Sequence, residues 1–366
     1  MSAKDLMRNE LKEFAAYNAG VHLVGVDFRK IVKLNANESM MGPSPKAMDA
    51  MAEELKYGYM YPQPVIAELQ KELSAFLGKP EDNIVIMNGS GSGIQMVGEC
   101  FLNPGDEMLL CDPTFMAYYK VPARFGATLK TVTPKDGVSQ DLDLLYDAIT
   151  DKTKLIVLCN PNNPTGTLLE HDKLKAFIEK LPKHVIVIMD EAYIEWVDVP
   201  GYQSALDLVN DNNNIIILRT FSKNHGMAGY RIGFSIANKD LTECINALGN
   251  YYSPNRIAAR GAAVSLRDKE WGELVYKNNK EQRDYMQSEM AKMGMLVTPS
   301  QASFIWFDPG CDSKVLFDKL IEKKVYIRPF HPYLRVSIGL PEQNQAFLDA
   351  LAESLKEMNL EEKKYA

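Results

Sequence analysis

Ile215-Ile-Ile-Leu-Arg-Thr-Phe-Ser-Lys223 sets four branched apolar residues directly before a polar, basic cluster. Short apolar runs of this kind fit strands buried on both faces, as in a mostly parallel sheet covered by helices. The cluster continues as Asn224-His-Gly-Met-Ala-Gly-Tyr-Arg231. Ser222 and Arg231 are types that grip a phosphate, and Lys223 between them is a type that forms a Schiff base with an aldehyde. A ligand carrying both groups would use all three.

Working outward, the same arrangement recurs. Asn83-Ile-Val-Ile-Met87 ends in Asn88-Gly-Ser-Gly-Ser-Gly93, and Glu107-Met-Leu-Leu-Cys111 ends in Asp112-Pro-Thr-Phe115. Leu155-Ile-Val-Leu-Cys159 ends in Asn160-Pro-Asn-Asn-Pro-Thr-Gly166, and Val185-Ile-Val-Ile-Met189 ends in Asp190-Glu-Ala-Tyr193. Open α/β sheets bind ligands outside the carboxyl ends of their strands, so five polar ends on one edge predict one site. Gly229–Ile236 offers a further strand. After about residue 255 helical patterns dominate, with strands near 303–307 and 333–338. A final helix over about 341–358 places Phe347, Leu348, Leu351 and Leu355 at helical spacing. Residues 4–16 read as a short amphipathic helix, Ile31–Glu38 as a strand-like stretch of an N-terminal arm, and Gly42–Pro45 as a turn or helix entry.

The 366 residues suffice for one large α/β domain and a smaller one. We read residues 1–40 as an arm, 41–250 as the large domain and 251–366 as the small C-terminal domain. A net charge of -7 argues against nucleic acid as the main partner, because phosphate neutralisation needs a basic face. Five scattered cysteines in no paired spacing favour reduced thiols in a cytoplasmic protein over disulfides or a metal site. No uncharged run approaches the ~18 residues of a membrane span.

The chemistry-bearing positions each carry a plain alternative. Gly89-Ser-Gly-Ser-Gly93 can let backbone amides of a helix N-terminus approach an anion, with Ser90 and Ser92 as added donors, or be a simple loop. Asp190 ends an apolar strand, where a carboxylate is costly unless paired; a protonated pyridine nitrogen would satisfy it, and a helix N-cap is the alternative. Asn163 and Tyr193 can reach a phenolic oxygen. Phe115 can cover a ring or belong to the core, and Arg231 can pair with a phosphate or be an exposed strand charge. Pyridoxal 5′-phosphate (PLP) carries all the groups these residues would meet. His225 reads as either a second acid–base group or a hydrogen-bonded structural histidine, and His331, between Arg328 and Arg335, as either a substrate contact or a residue that makes none.

With those residues in hand, the chain resembles the PLP-dependent class I/II aminotransferases of fold-type I, and most of all the histidinol-phosphate branch. Leu34-Asn-Ala-Asn-Glu38, Gly42-Pro-Ser-Pro45, Tyr61-Pro62, Asn163-Pro-Thr-Gly166, Asp190-Glu-Ala-Tyr193, Ser222-Lys223, Arg231 and Leu334-Arg335 carry the resemblance, in this order. It implies a large domain with a mostly parallel seven-stranded sheet and a smaller α/β domain. It implies Lys223 as Schiff-base lysine and proton shuttle, and Asp190 on the pyridine nitrogen. It implies Asn163 and Tyr193 on the phenolic oxygen, and Ser90, Gly91, Ser92, Ser222 and Arg231 on the phosphate. Phe115 would stack on the ring, and Tyr61 would come from the neighbouring subunit of a homodimer. Tyr17, Asn37, Arg328 and Arg335 would meet substrate. The reaction implied is ping-pong transfer of an amino group to a 2-oxo acid, usually 2-oxoglutarate.

The chain departs from the branch around substrate. Ser39-Met-Met41 replaces the usual Asn-Pro-Tyr, the basic residue often found just after the Tyr17 position is lacking, and only seven positions separate Arg328 from Arg335. Phe330, Tyr333, Tyr251 and Tyr252 could form an aromatic-accepting pocket, so an aromatic amino-acid aminotransferase is one alternative. A PLP-dependent decarboxylase, racemase, lyase or oxidase on the same fold is another. A PLP-binding regulator is disfavoured, because no ~70-residue basic DNA-binding segment precedes residue 30.

Overall fold

The structure, a computed structural model, describes residues 8, 11, 26–249 and 252–358. Tyr17, His22, Tyr251 and, apart from Arg8 and Leu11, the expected helix over 4–16 fall outside them. The strands are β1 (Val32–Lys33), β2 (Ile84–Met87), β3 (Glu107–Cys111), β4 (Thr128–Val132), β5 (Thr153–Cys159), β6 (Ile186–Asp190), β7 (Ile215–Thr220), β8 (Gly233–Ile236), β9 (Leu296–Thr298), β10 (Phe304–Asp308), β11 (Val325–Tyr326), β12 (Arg328–Phe330) and β13 (Tyr333–Ser337).

Seven of them form the main sheet in the order β2-β8-β7-β6-β5-β3-β4. Only β8 runs against its neighbours; the other pairings are parallel. The carboxyl ends of β2, β3, β5, β6 and β7 therefore share one edge, as the polar clusters require. Side chains alternate between two apolar layers. Ile86, Leu109, Ile156, Val187 and Ile217 enter one cluster. Val85, Met108, Val157, Ile188 and Ile216 enter the other. Each such side chain taken from water contributes about 1.5–3 kcal/mol, so these runs stay at the centre of the sheet. β4, Thr128-Leu-Lys-Thr-Val132, has no apolar run to betray it; it is a partly exposed edge strand beside β3.

A four-stranded antiparallel sheet, β12-β13-β10-β9, forms the second unit. One of its faces sends Ile305, Phe307, Leu334 and Val336 into a core shared with Phe347, Leu348, Leu351 and Leu355 of the helix Pro341–Glu357. β1 pairs with β11, and Leu34 of the arm enters that same core. Helix Arg256–Arg267 instead sends Ala258, Ala259, Ala262, Ala263 and Leu266 into the main-sheet cluster. Among the described residues, no helix is long and apolar enough to cross a membrane.

Candidate active site

A cleft of about 280 Å³ lies at the shared edge of the main sheet, bounded on its far side by β12 and β13. Lys223 lies in the turn after β7. Its Nζ donates to the backbone carbonyls of Ala36 (3.2 Å) and Asn37 (3.0 Å). Burial pushes this amine down to about 8, and the nearby Arg335 and Arg231 push the same way.

Asp190 closes β6 and is 3% exposed. It accepts hydrogen bonds from the Tyr118 hydroxyl (2.8 Å) and from its own turn through Ala192 N (3.1 Å). Burial raises its carboxyl to about 6, against the pull of those two bonds. Helix capping does not explain the residue: the short helix Ile194–Trp196 has Tyr193 at its N-cap. Asp190 enters no ion pair among the described residues, yet it faces the cleft that holds Lys223. Tyr118 escaped the sequence reading; its one signal is a position three residues after Phe115, one helical turn on.

The glycine-rich turn opens the 12-residue helix Ser90–Phe101, whose first amides are unpaired within the helix and carry partial positive charge. Gly89 has φ 76°, and a Cβ there would lie 2.6 Å from Arg231 Nη2, so only glycine lets that guanidinium close on the turn. Arg231 is itself left-handed (φ 56°) and donates to Ala228 O (2.7 Å) and Ser222 Oγ (3.4 Å). Ser90, Gly91, Ser222 and Arg231 line the cleft. Ser92 is not among the lining residues; its hydroxyl donates back to Gly89 O at 2.9 Å and shapes the turn.

Across the cleft, the Tyr193 hydroxyl receives hydrogen bonds from Asn37 Nδ2 (2.9 Å) and Asn163 Nδ2 (3.5 Å). Burial pushes its phenol well above the usual range. Arg335 donates to Asn163 Oδ1 (2.6 Å) and Asn35 O (3.1 Å), with Phe304 and Phe330 rings within 5.4 Å of its guanidinium. Arg328 donates to Met116 Sδ (3.7 Å). Phe115, Met116 and Phe330 supply the apolar lining, and Phe115 meets Tyr118 edge-on.

Tyr61 lies away from this cleft. It is 66% exposed and stacks on Tyr252 with ring centroids 4.0 Å apart. Neither questioned histidine lines the cleft. His225 Nδ1 is bonded to Ser265 Oγ (2.7 Å), with burial holding the ring down at about 4, and His331 Nδ1 is bonded to Ser313 Oγ (2.7 Å). His225 fits its structural alternative. Of the cleft's titratable side chains, Asp190 is the single carboxylate, against Lys223, Arg231, Arg328 and Arg335.

The model of the family "Aminotransferase class I and II" matches residues 29–351. The histidinol-phosphate aminotransferase of Moorella thermoacetica is 35% identical over 334 residues, 89% of this chain and 86% of that protein. Histidinol-phosphate aminotransferase 2 of Hydrogenovibrio crunogenus is 37% identical over 336 residues, 90% of each. The crystal structure of histidinol-phosphate aminotransferase from Sinorhizobium meliloti in complex with pyridoxal-5′-phosphate superposes with a TM-score of 0.88. It covers 96% of this chain and 98% of that one; at 24% identity this likeness carries the fold.

Proposed function

The chain belongs to the class I and II aminotransferase family, and from that premise we propose that it is a PLP-dependent aminotransferase of the histidinol-phosphate type. It exchanges an amino group between a phosphate-bearing amine and a 2-oxo acid of the 2-oxoglutarate kind.

The observation that carries this reading is Asp190: a buried carboxylate in no ion pair among the described residues, facing a cleft whose other charged lining residues, Lys223, Arg231, Arg328 and Arg335, are all cations. A protonated pyridine nitrogen suits it. The cofactor's other groups also find partners of the right chemistry. Lys223 would hold its aldehyde carbon, and Asn163 and Tyr193 its phenolic oxygen. Ser90, Gly91, Ser222 and Arg231 would hold its phosphate, on a turn shaped by Ser92. Phe115 would lie against its ring. When bound, the cofactor supplies an electron sink for negative charge on the substrate carbon.

The chain's own residues do the rest. Nζ of Lys223 takes the proton from the amine-bearing substrate carbon, and its lowered pKa keeps a neutral amine accessible near neutral pH. Arg335 and Arg328 bind the substrate's anionic end, and the same pair serves the second, dicarboxylic substrate. Met116 and Phe330 exclude water beside them. The exposed Tyr61–Tyr252 stack supports a homodimer in which Tyr61 completes the partner's phosphate site.

The test is a single-turnover screen of the PLP-loaded enzyme with histidinol phosphate, glutamate, phenylalanine and tyrosine. Loss of the visible band with stoichiometric keto product from histidinol phosphate is the expected result. Faster turnover of phenylalanine or tyrosine would move the substrate class to aromatic amino acids, the reading supported by Trp306 stacked on Tyr333 and packed near Phe330. Carbon dioxide or peroxide in place of keto product would overturn transamination.

A further inference from the structure

Asn37 is 2% exposed and takes φ 52°, a left-handed backbone that costs a non-glycine residue energy unless its surroundings hold it. Ser337, at the end of β13 and 1% exposed, holds it from two sides. Asn37 N donates to Ser337 Oγ (2.8 Å), and Ser337 Oγ donates to Asn37 Oδ1 (3.0 Å). This reciprocal clasp joins residues 300 apart in sequence.

The clasp has a directional consequence. A serine hydroxyl that donates to the amide oxygen fixes which end of the Asn37 amide faces which way. The amide nitrogen is then committed to the Tyr193 hydroxyl at 2.9 Å. Asn163 Nδ2 also approaches that hydroxyl as a donor, at 3.5 Å. With its lone pairs taken by two N–H groups, the phenol points its own proton elsewhere, as a donor. The main-chain carbonyl of Asn37 meanwhile receives Lys223 Nζ at 3.0 Å. One side chain outside the cleft lining thus fixes three groups that face into it.

We propose that Ser337 is a positioning residue: through Asn37 it orients the Tyr193 phenol as a hydrogen-bond donor and fixes where the Lys223 amine rests. The inference rests on the aminotransferase reading, because it gives the phenol and the amine their work in the proposed reaction.

Three variants test it: Ser337→Ala, Ser337→Thr and Asn37→Asp. Ser337→Ala removes the clasp, Ser337→Thr keeps its hydroxyl, and Asn37→Asp keeps the acceptor of the clasp but loses the donor to Tyr193. Two readouts are used. One is the rate at which trinitrobenzenesulfonate labels Lys223 in the cofactor-free protein, followed by peptide mass spectrometry across pH. The other is the pH titration of visible absorbance in the PLP-loaded enzyme, with kcat and KM. Ser337→Ala and Asn37→Asp are expected to move the absorbance titration and to lower kcat about tenfold with KM little changed, one lost hydrogen bond's worth. Ser337→Ala is further expected to change the Lys223 labelling profile, and Ser337→Thr to restore both readouts. Unchanged labelling and titration in Ser337→Ala would overturn the proposal. So would equal damage in Ser337→Ala and Ser337→Thr with a matching fall in melting temperature, which marks packing alone. A wild-type protein that takes up no PLP on Lys223 would sink the aminotransferase reading instead, and the labelling experiment would still judge the clasp.

Discussion

Arg328 and Arg335 are direct cross-strand partners on β12 and β13, so both side chains leave the small sheet on the same face, toward the cleft. The opposite face carries Leu334 and Val336 into the apolar core. The two guanidinium groups are therefore held by strand register and not by a flexible loop. Arg335→Gln is expected to cut kcat/KM for both the amine and the 2-oxo acid by about 10–100-fold, chiefly through KM, as loss of a charge-assisted bond predicts. Arg328→Gln should do less, and mainly for the phosphate-bearing amine. Steady-state kinetics with each substrate varied in turn separates the two.

Burial of the Asp190 carboxylate costs the fold stability. Its folded pKa of about 6 lies above the 3.8 of an ordinary aspartate. Between those values the folded protein binds a proton that the unfolded chain has released, so stability falls as pH rises through that window and stays reduced above it. Asp190→Asn removes the buried charge but keeps only one acceptor oxygen for Tyr118 and Ala192. The net expectation is a cofactor-free protein more stable by roughly 1–2 kcal/mol near pH 7–8, with turnover reduced about 1,000-fold or more. Urea unfolding at pH 4 and pH 7.5 checks the sign, since the gain should shrink at the lower pH.

For Lys223 the direction is opposite. An amine lowered to about 8 is increasingly neutral as pH climbs toward and past that value. Covalent uptake of PLP by the cofactor-free protein should accelerate about tenfold per pH unit below 8 and level off above it. Stopped-flow absorbance follows this directly. Lys223→Ala should bind PLP without the covalent band and lose activity by orders of magnitude.

Gly89 is set by space as well as by conformation. Gly89→Ala places a methyl group against the Arg231 guanidinium in a left-handed backbone. We expect PLP affinity to fall about 10-fold or more, from strain and a displaced arginine together. Equilibrium dialysis of PLP measures it.

The dimer proposal has a complementation test. A Lys223→Ala chain mixed with a Tyr61→Ala chain should form hybrids with one intact site, if Tyr61 serves the partner. Random pairing would then restore about a quarter of wild-type activity, from components that are each weak. Sedimentation of the mixture at the mass of two chains, with no recovery, would place Tyr61's role within its own subunit.

Much of the fold can be read from short segments. The five apolar runs with polar ends are local patterns, and burial of those runs forces a covered parallel sheet whose carboxyl edge collects Lys223, Asp190, Asn163 and the Gly89 turn. β4 cannot be read this way, because an exposed edge strand of Thr and Lys carries no burial signal. Tyr118 was hidden too, since nothing in an Ala-Tyr-Tyr sequence says which tyrosine turns inward to a carboxylate 72 residues later.

The sequence by itself determined the chemical groups: a lysine, a glycine-rich turn at a helix N-terminus and a strand-end carboxylate, each defined within a few residues by side-chain type and backbone freedom. Tertiary structure alone decided how those groups are aimed. Ser337 finds Asn37, Arg335 finds Asn163, and Arg328 comes level with Arg335 through strand register and the packing of one sheet against another. Hydrogen bonds between residues 172 and 300 positions apart follow from where the backbone is brought, which no local periodicity encodes.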